Sequence, residues 1–251
     1  MIIIAINVRS GGSRTTARAV VDRCLTHAPE AIVFSEYRDN ATGAYYEQLL
    51  REHGFTHQAA THGHRGNGVL VAANREFKAL RNPFGLADDE YPNAVIEATF
   101  ENLRLFGVYL PGQDRKRPHL RCLIALAQRC DESNIRALCI GDFNSGRNAT
   151  DIEANFGGRR QADEFSTADL YAQLEEHWTE AWLHEHPGMQ DFSWYPFRLK
   201  PQERRRNGWR IDKAFVSKAL LPQLRSAEYD HGFRDELLSD HSGLVVDLAI
   251  P

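Results

Sequence analysis

Short apolar runs recur along the whole chain, and they constrain its fold more than any other feature. Each run has four to eight residues rich in Val, Ile, Leu and Phe, and most are bounded by Gly, Asn, Asp or Pro. Runs of this length and composition are typical of buried β-strands. The predicted strands are Ile2–Ile6, Ala31–Phe34, Gly68–Ala73, Ala94–Phe100, Leu103–Leu110, Ala137–Ile140, Ile211–Val216 and Leu244–Ile250.

Helical patterns lie between these strands. The clearest of them carries Leu120, Leu123, Ile124 and Ala127 at the i, i+3, i+4, i+7 spacing of a helix with one buried face. The predicted helices are Thr15–His27, Ala44–Glu52, Arg117–Asp131 and Ala168–His184.

The order of these elements indicates an α+β fold. A β-α-β start is followed by a long antiparallel stretch, in which Glu101 and Asn102 form the two-residue turn of a hairpin. This order predicts helices packed outside two β-sheets. The 251 residues contain no repeat and no low-complexity linker, so we expect one domain over 1–251.

The composition narrows the class of protein. Apolar residues make up 42% and charged residues 25% of the chain, which is ordinary for a soluble protein with a real core. The net charge of −4 argues against a strongly basic nucleic-acid binder but allows a locally basic face. The four cysteines show no C-x-x-C spacing and are expected to be buried thiols. We find no secretory signal and no run of about 20 apolar residues, and we expect a cytoplasmic protein without a membrane span.

Polar side chains stand where six of the predicted strands end or begin. Each of them alone is most often a turn residue or a helix cap. Sheet ends lie side by side, however, so these side chains together predict one shared cleft. They are Asn7, Glu36, Tyr109, Asp142 with Asn144, Asp212, and Asp240 with His241.

Such a cleft would bring four carboxylates close to one imidazole. Like charges at short range repel strongly unless a cation or a proton lies among them. Hard oxygen ligands without a thiolate favour Mg²⁺ or Mn²⁺ over zinc. The set therefore predicts phosphoryl chemistry assisted by a divalent cation.

Basic and aromatic residues concentrate in the loops next to the same strand ends. On an acidic protein, such clusters indicate a groove for a polyanion, although a solvated loop is the alternative for each cluster. Trp194 and Trp209 flank the basic loop before Asp212, where they would stack on a base or sugar or else pack in the core. The basic residues are Arg115, Lys116, Arg117, Arg159, Arg160, Lys200, Arg204, Arg205, Arg206 and Arg210.

Seven ordered segments resemble the endonuclease/exonuclease/phosphatase superfamily over nearly the whole chain. They are IAINV, FSEYR, GVYLPG, IGDFNSG, DFSWYPFR, GWRIDKAFVS and SDHSGL, of which GDFN, WRID and SDHS are the most specific. FSWYPFR followed by GWRIDKAFVS is most similar to the exonuclease III-like and abasic-site endonuclease branch. The resemblance implies a DNase I-like fold, a four-layer α/β/β/α sandwich of two mixed β-sheets flanked by helices, with the site at one edge.

The resemblance also implies a metal site. Glu36 would be the main ligand of Mg²⁺ or Mn²⁺, with Asn7 and Asp240 near the same cation. Arg9 departs from the pattern, because the abasic-site branch usually has Asn or Asp there, close to the metal. An arginine at this position would remove a metal contact and bind a phosphate instead.

Catalytic roles follow from the same resemblance. His241 and Asp212 would form a dyad, and Asp142 would orient or deprotonate the attacking water. Asn144 would hold the phosphate, and Tyr109 would hydrogen-bond the phosphate or the nucleophile. Whether Asp142 or His241 is the general base stays open at this point. The residues expected to bind substrate are Asn144, Arg9, Arg115, Trp194 and Arg210.

Three functional hypotheses follow. The first is a metal-dependent phosphodiesterase that cuts nucleic acid, DNA rather than RNA. The second keeps the same site but acts on a small phosphoester or a phospholipid headgroup, which the acidic pI near 6.3 and the Arg9 departure favour. The third is a non-catalytic binding module, against which the intact set of polar residues argues.

Overall fold

Two six-stranded β-sheets form the centre of the protein. The computed structural model describes residues 1–61, 66–153, 165–196 and 208–250. In the first sheet the strand order is β11-β12-β1-β2-β4-β3, and its strands are β1 (Ile2–Asn7), β2 (Ala31–Tyr37), β3 (His57–Ala60), β4 (Gly68–Ala73), β11 (Leu224–Asp230) and β12 (Gly243–Leu248). In the second sheet the order is β5-β6-β7-β8-β10-β9, and its strands are β5 (Lys78–Arg81), β6 (Val95–Thr99), β7 (Arg104–Tyr109), β8 (Ala137–Asp142), β9 (Thr179–Glu180) and β10 (Asp212–Val216).

Helices cover the outer faces of the sheets. Val20 and Val21 pack with Ile4 and Phe34 on the first sheet, and Leu120 and Leu123 belong to an equivalent core on the second. Among the described residues the helices are α1 (Arg14–Leu25), α2 (Ala41–Glu52), α3 (Arg117–Glu132), α4 (Ala168–Glu175), α5 (Ala181–Glu185) and α6 (Gly232–Asp235). In the part of the chain that the structure describes, no helix is both long and apolar enough to cross a membrane.

The inner faces of the two sheets pack directly on each other. Val33, Val69 and Val71 of the first sheet share one core with Leu105 and Ile140 of the second. Gly107 leaves no room for a side chain between the sheets, since a Cβ there would stand 2.9 Å from the side chain of Val69 and 3.0 Å from that of Val33. The predicted α/β/β/α sandwich is therefore confirmed.

The strands that the apolar pattern does not predict are β3, β5, β9 and β11. All four lie at the edges of the two sheets. Edge strands are partly solvated, so they lack a continuous apolar run. Every residue of β5 is exposed, and the seven-residue β11 has one buried residue. The predicted helix Ala168–His184 is wrong in its middle, because β9 interrupts it between α4 and α5 and pairs with β10.

The central strands agree with the prediction to within a few residues. The hairpin is confirmed: β6 and β7 are antiparallel, and the amide of Phe100 donates to the carbonyl of Leu103 across the two-residue turn. Cys24, Cys122, Cys130 and Cys139 are free thiols, and all except Cys122 are buried.

Candidate active site

The strand directions bring the predicted polar residues to one edge of the sandwich. In the first sheet β1 and β2 are parallel and β12 is antiparallel to β1. The C-terminal ends of β1 and β2 therefore lie beside the N-terminal end of β12. The second sheet repeats this arrangement, with β7 parallel to β8 and β10 antiparallel to it. In its register Tyr109 pairs with Asp142, and Asp142 pairs with Asp212.

Side chains at this edge tie the two sheets together. The amide nitrogen of Asn7 donates to Asp142 Oδ2 at 2.9 Å, and the hydroxyl of Tyr109 donates to Glu36 Oε1 at 3.1 Å. Ser35 Oγ of β2 donates to the carbonyl of Val108 in β7 at 2.8 Å. The site is therefore assembled by both sheets and belongs to neither alone.

An open cleft of about 530 Å³ lies at this edge. Six predicted residues line it: Glu36, Tyr109, Asp142, Asn144, Asp240 and His241. Asn7 and Asp212 are buried directly behind the cleft wall, where each hydrogen-bonds one of these residues.

The backbone at the cleft is held in uncommon conformations. Glu36 has φ +54° and Asn144 φ +47°, both in the left-handed region, and β2 carries an irregularity between Ser35 and Tyr37. Gly141 has φ +139°, and a Cβ there would stand 2.2 Å from the carbonyl oxygen of Val108. Non-glycine residues in such conformations cluster at functional sites, because packing must hold them there.

Asp142 is buried and fixed by amide donors. Its Oδ1 accepts from the main-chain amide of Asn144 at 2.8 Å, and its Oδ2 accepts from the side chains of Asn7 and Asn144. Burial raises the pKa of Asp142 to about 7, against the opposing charge of His241. Phe143 points to the other side of the chain and packs on Phe215 in the core, so strand alternation separates the two polar residues.

His241 and Asp212 form a buried hydrogen-bonded pair. His241 Nδ1 lies 2.8 Å from Asp212 Oδ2, and the amide of Asp212 donates to Ser193 Oγ at 3.0 Å. Burial lowers the pKa of His241, but the charge and hydrogen bond of Asp212 outweigh it and raise this pKa to about 10. The pair therefore favours the protonated form of the imidazole. Ligand atoms of His241, Asp142 and Asp212 lie within 4.8 Å of one another.

Glu36, Asn7 and Asp240, the residues predicted to lie around the metal ion, differ in their hydrogen-bond partners. Glu36 lines the cleft and accepts only the Tyr109 hydroxyl among the described hydrogen bonds. The side chain of Asn7 is engaged at both ends, since its nitrogen donates to Asp142 and its oxygen accepts from the amide of Arg9 at 2.9 Å. Asp240 Oδ2 accepts from the indole of Trp194 at 3.2 Å. The carboxylate and amide oxygens of this donor set suit a hard divalent cation.

Arg9 and Trp194, predicted to bind substrate, also line the cleft. Trp194 packs on Trp209 with ring centroids 5.3 Å apart, and both rings face the cleft. Arg115, also predicted to bind substrate, is exposed and is not among the residues that line the cleft; its Nη1 donates to the hydroxyl of Tyr91 at 2.8 Å.

The prediction for Arg210 needs correction. The residue is buried, and its guanidinium pairs with Asp151 and Glu180 and lies 4.9 Å from the ring centroid of Trp182. It therefore has no surface to offer a substrate. The basic residues Arg159, Arg160, Lys200, Arg204, Arg205 and Arg206 lie outside the described residues.

Three buried serines behind the cleft were not identified from the sequence. Ser35 Oγ accepts from the amide of Asp142 at 3.3 Å, and Ser239 Oγ donates to the carbonyl of Asn7 at 2.7 Å and accepts from the amide of His241. Ser193 holds the amide of Asp212. A signal did exist for two of them, since Ser35 and Ser239 directly precede Glu36 and Asp240 in the sequence.

Lys116, one of the basic residues expected to line a groove for a polyanion, is instead buried against the site. Its Nζ donates to the main-chain carbonyl of Asn144, and burial lowers the pKa of Lys116 to about 8. Arg117 beside it pairs with Asp114 and Asp169 on the surface. Lys116 therefore supports the loop that carries Asn144.

Known proteins are similar to this chain in sequence and in architecture. The sequence model of the Endonuclease/Exonuclease/phosphatase family matches residues 4–241. The chain is 26% identical over 186 residues to an exodeoxyribonuclease of Bacillus subtilis (strain 168), an alignment that covers 70% of this chain and 71% of the relative.

Similar solved structures cover the chain almost completely. An AP endonuclease from Archaeoglobus fulgidus superposes with a TM-score of 0.79 at 19% identity and covers 100% of both chains. A 3' phosphatase from Neisseria bound to a product DNA hairpin superposes with a TM-score of 0.81 at 21% identity, over 99% of both chains. With the family model matching nearly the full length, the chain belongs to the endonuclease/exonuclease/phosphatase family and is a phosphoester hydrolase.

Proposed function

We propose that this enzyme hydrolyses phosphodiester bonds of DNA with the help of Mg²⁺ or Mn²⁺. One observation carries the proposal: Glu36, the amide-fixed Asp142 and the His241–Asp212 pair all meet in one open cleft at the sheet edge. DNA as the substrate is supported by the exodeoxyribonuclease relative and by the neighbour bound to a DNA hairpin.

Glu36 would hold the metal ion, with Asn7 and Asp240 on its flanks. A bound Mg²⁺ or Mn²⁺ would polarise a phosphoryl oxygen and offset the charge that develops there. Tyr109 fixes the Glu36 carboxylate by a hydrogen bond, so the ligand is oriented before the ion arrives.

Asp142 would be the general base. Three hydrogen bonds from Asn7 and Asn144 hold its carboxylate in one orientation. A carboxylate fixed in this way can accept the proton of an attacking water in line with the scissile bond. His241 is less suited to this role, because its hydrogen bond to Asp212 favours the protonated imidazolium.

The imidazolium of His241 would stabilise the transition state. A cation held by the buried Asp212 carboxylate can donate a hydrogen bond to a phosphate oxygen and offset its growing negative charge. Arg9 and Asn144 line the same cleft and would bind the other phosphate oxygens. Trp194 and Arg115 would contact the nucleotides beside the scissile phosphate, by stacking and by charge respectively.

The experiment measures the hydrolysis of several substrates with and without a divalent metal ion. Purified protein is incubated with Mg²⁺, Mn²⁺ or EDTA and with single-stranded, duplex, abasic and 3'-phosphorylated DNA, with matched RNA oligonucleotides, and with small phosphomonoesters and diesters. We expect metal-dependent hydrolysis of at least one DNA substrate at a rate above that of the matched RNA. Hydrolysis of small phosphoesters without any cutting of DNA would replace the substrate assignment, and metal-independent binding without turnover would favour a binding module.

A further inference from the structure

Lys116 is a buried cation that no neighbouring carboxylate neutralises directly. Only 2% of the residue is exposed. Lys213, the other buried lysine among the described residues, pairs with Asp151, whereas Lys116 forms no ion pair with any carboxylate that the structure describes. Buried lysines are almost always paired, because a charge loses much of its hydration energy when it leaves water. Stability alone therefore does not explain a lysine at this position.

The acceptor of the Lys116 ammonium group is the main-chain carbonyl of Asn144. Asn144 has φ +47°, a left-handed conformation that is uncommon for a residue with a side chain. In this conformation its amide donates to Asp142 Oδ1 at 2.8 Å, and its side chain donates to the carbonyl of Leu110 at 2.9 Å. The carbonyl that Lys116 holds thus belongs to the residue that orients the proposed general base.

The charge of Lys116 strengthens this hydrogen bond but lowers the stability of the fold. A charged donor forms a hydrogen bond roughly twice as strong as a neutral one. Burial lowers the pKa of Lys116 from 10.5 to about 8, although the charges of Asp142 at the end of β8 and of Asp114 in its own turn oppose the shift. Because the unfolded chain holds this proton more tightly than the folded chain, the lowered pKa disfavours the folded state.

We propose that Lys116 is a positioning residue whose charge locks Asn144 in its left-handed conformation and so keeps Asp142 oriented for catalysis. The proposal rests on the hydrolytic function proposed above, and it assigns the effect to the charge rather than to the bulk of the side chain. When Lys116 loses its proton, the bond to Asn144 weakens and turnover falls.

The first test measures kcat against pH on the best DNA substrate. We expect kcat of Lys116→Met, which has neither charge nor donor, to be roughly 10–100-fold below that of the wild type at neutral pH. The wild type should lose activity as the pH rises through about 8, and Lys116→Met should lack this fall. Lys116→Arg keeps its charge in this range, so it should retain most of the turnover and show no such fall. Lys218→Met is the matched control, since Lys218 is exposed and pairs with Asp131 at the surface.

The second test follows the conformation of Asn144 without metal or substrate. The backbone carbon-13 shifts of Asn144 report its φ and ψ in the metal-free, full-length protein. We expect left-handed values in the wild type at neutral pH, and a shift away from them in Lys116→Met and in the wild type at about pH 9.5, where most of Lys116 has lost its proton. Should Lys116→Met not fold, the wild-type titration decides alone.

Stability separates this role from a merely structural one. Between about pH 8 and 10.5 the unfolded chain binds the Lys116 proton and the folded chain does not. The free energy of unfolding of the wild type should therefore rise relative to that of Lys116→Met over the range in which turnover falls. A lysine that only holds the structure together would lose stability and activity in parallel.

Three outcomes would overturn the proposal. They are Asn144 shifts that stay unchanged in Lys116→Met, the same alkaline fall of kcat in Lys116→Met as in the wild type, and a loss of turnover in a folded Lys116→Arg as large as in Lys116→Met. If the Asn144 shifts respond as expected but no DNA is cut, the proposed substrate fails and the lock stands. If DNA is cut and the shifts do not respond, only the role of Lys116 fails.

Discussion

Single residues in this site are positioned mainly by main-chain and amide hydrogen bonds. Asp142 receives donors from Asn7 and Asn144, and the buried hydroxyls of Ser35 and Ser193 hold the backbone of Asp142 and Asp212. Because these donors are neutral, they orient the carboxylates without cancelling their charge. The charge remains available for a metal ion or a proton.

Asp142→Asn tests the general base. The amide keeps the size of the carboxylate but cannot accept a proton, so we expect kcat to fall by roughly 10²–10⁴-fold with the fold retained. Single-turnover cleavage of the best DNA substrate measures the effect, and a gel-shift assay checks that DNA still binds. Full turnover in this variant would exclude Asp142 as the base.

Asp212→Asn tests the dyad. The charge and hydrogen bond of Asp212 raise the pKa of His241 to about 10, so removing the charge should lower this pKa. Imidazole resonances followed by NMR in the metal-free protein measure the change, and we expect activity to fall in parallel as the imidazolium is lost. An unchanged His241 pKa would contradict the assigned pair.

At the scale of elements, a buried charge cluster joins the loop after β8 to the strand β10. Asp151 Oδ2 accepts from the amide of Arg147 in the loop and from Lys213 Nζ in β10, and Arg210 bonds to Asp151 Oδ1 just before β10 begins. Asn144 and Asp212 stand on these two segments. The cluster therefore fixes the loop that carries Asn144 relative to the strand that carries Asp212.

Asp151→Asn is expected to destabilise the protein by roughly 3–5 kcal/mol, because Lys213 and Arg210 are left buried with less negative charge. Chemical unfolding measures the loss of free energy. Asp114→Asn is a matched control, since that carboxylate pairs with Arg117 at the surface and should change stability by about 1 kcal/mol or less.

Asp151 also makes the free energy of unfolding depend on pH in the acid range. Burial opposes ionisation of Asp151, but Lys213 and Arg210 outweigh it and lower its pKa from 3.8 to about 2. A lowered folded-state pKa means that the stabilisation is complete above about pH 4 and is lost as the pH falls towards 2, an amount of about 2 kcal/mol. Unfolding free energies measured across this range should fall less steeply in Asp151→Asn than in the wild type.

The central strands of the two sheets could be predicted from the sequence, and the edge strands could not. Buried strands such as β4 and β8 are continuous apolar runs, which follow from burial on both faces. The edge strand β5 is exposed throughout and owes its existence to pairing with β6. Arg210 illustrates the same limit for the site, because a basic residue near a motif gives no local sign of the two carboxylates that bury it.

At the scale of the whole molecule, the distance between the sheets determines whether the site exists. Gly107 faces Val33 and Val69 across this interface without room for a side chain. Strand order and motif order indicated two packed sheets, but the hydrogen bonds between them, from Asn7 to Asp142 and from Tyr109 to Glu36, depend on a packing distance that no local pattern encodes.

Gly107→Ala tests this dependence. The added methyl group would clash with Val69 and Val33, so we expect a loss of roughly 1–3 kcal/mol in unfolding free energy. We also expect kcat to fall, although Gly107 does not line the cleft. Thermal unfolding and cleavage rates measure the two effects. Adding Val69→Ala should recover part of the activity by removing the clash, and unaffected activity in the single variant would show that the sheet spacing is not limiting.

The cross-sheet assembly of the site also bears on how the protein is made. Asn7 and Glu36 come from the first sheet, and Asp142 and Asp212 from the second. In the first sheet β1 pairs on one side with β12, the last of its strands along the chain. A half-folded chain therefore holds at most fragments of the active site, so the site is complete only once β12 has paired with β1 and the two sheets have docked.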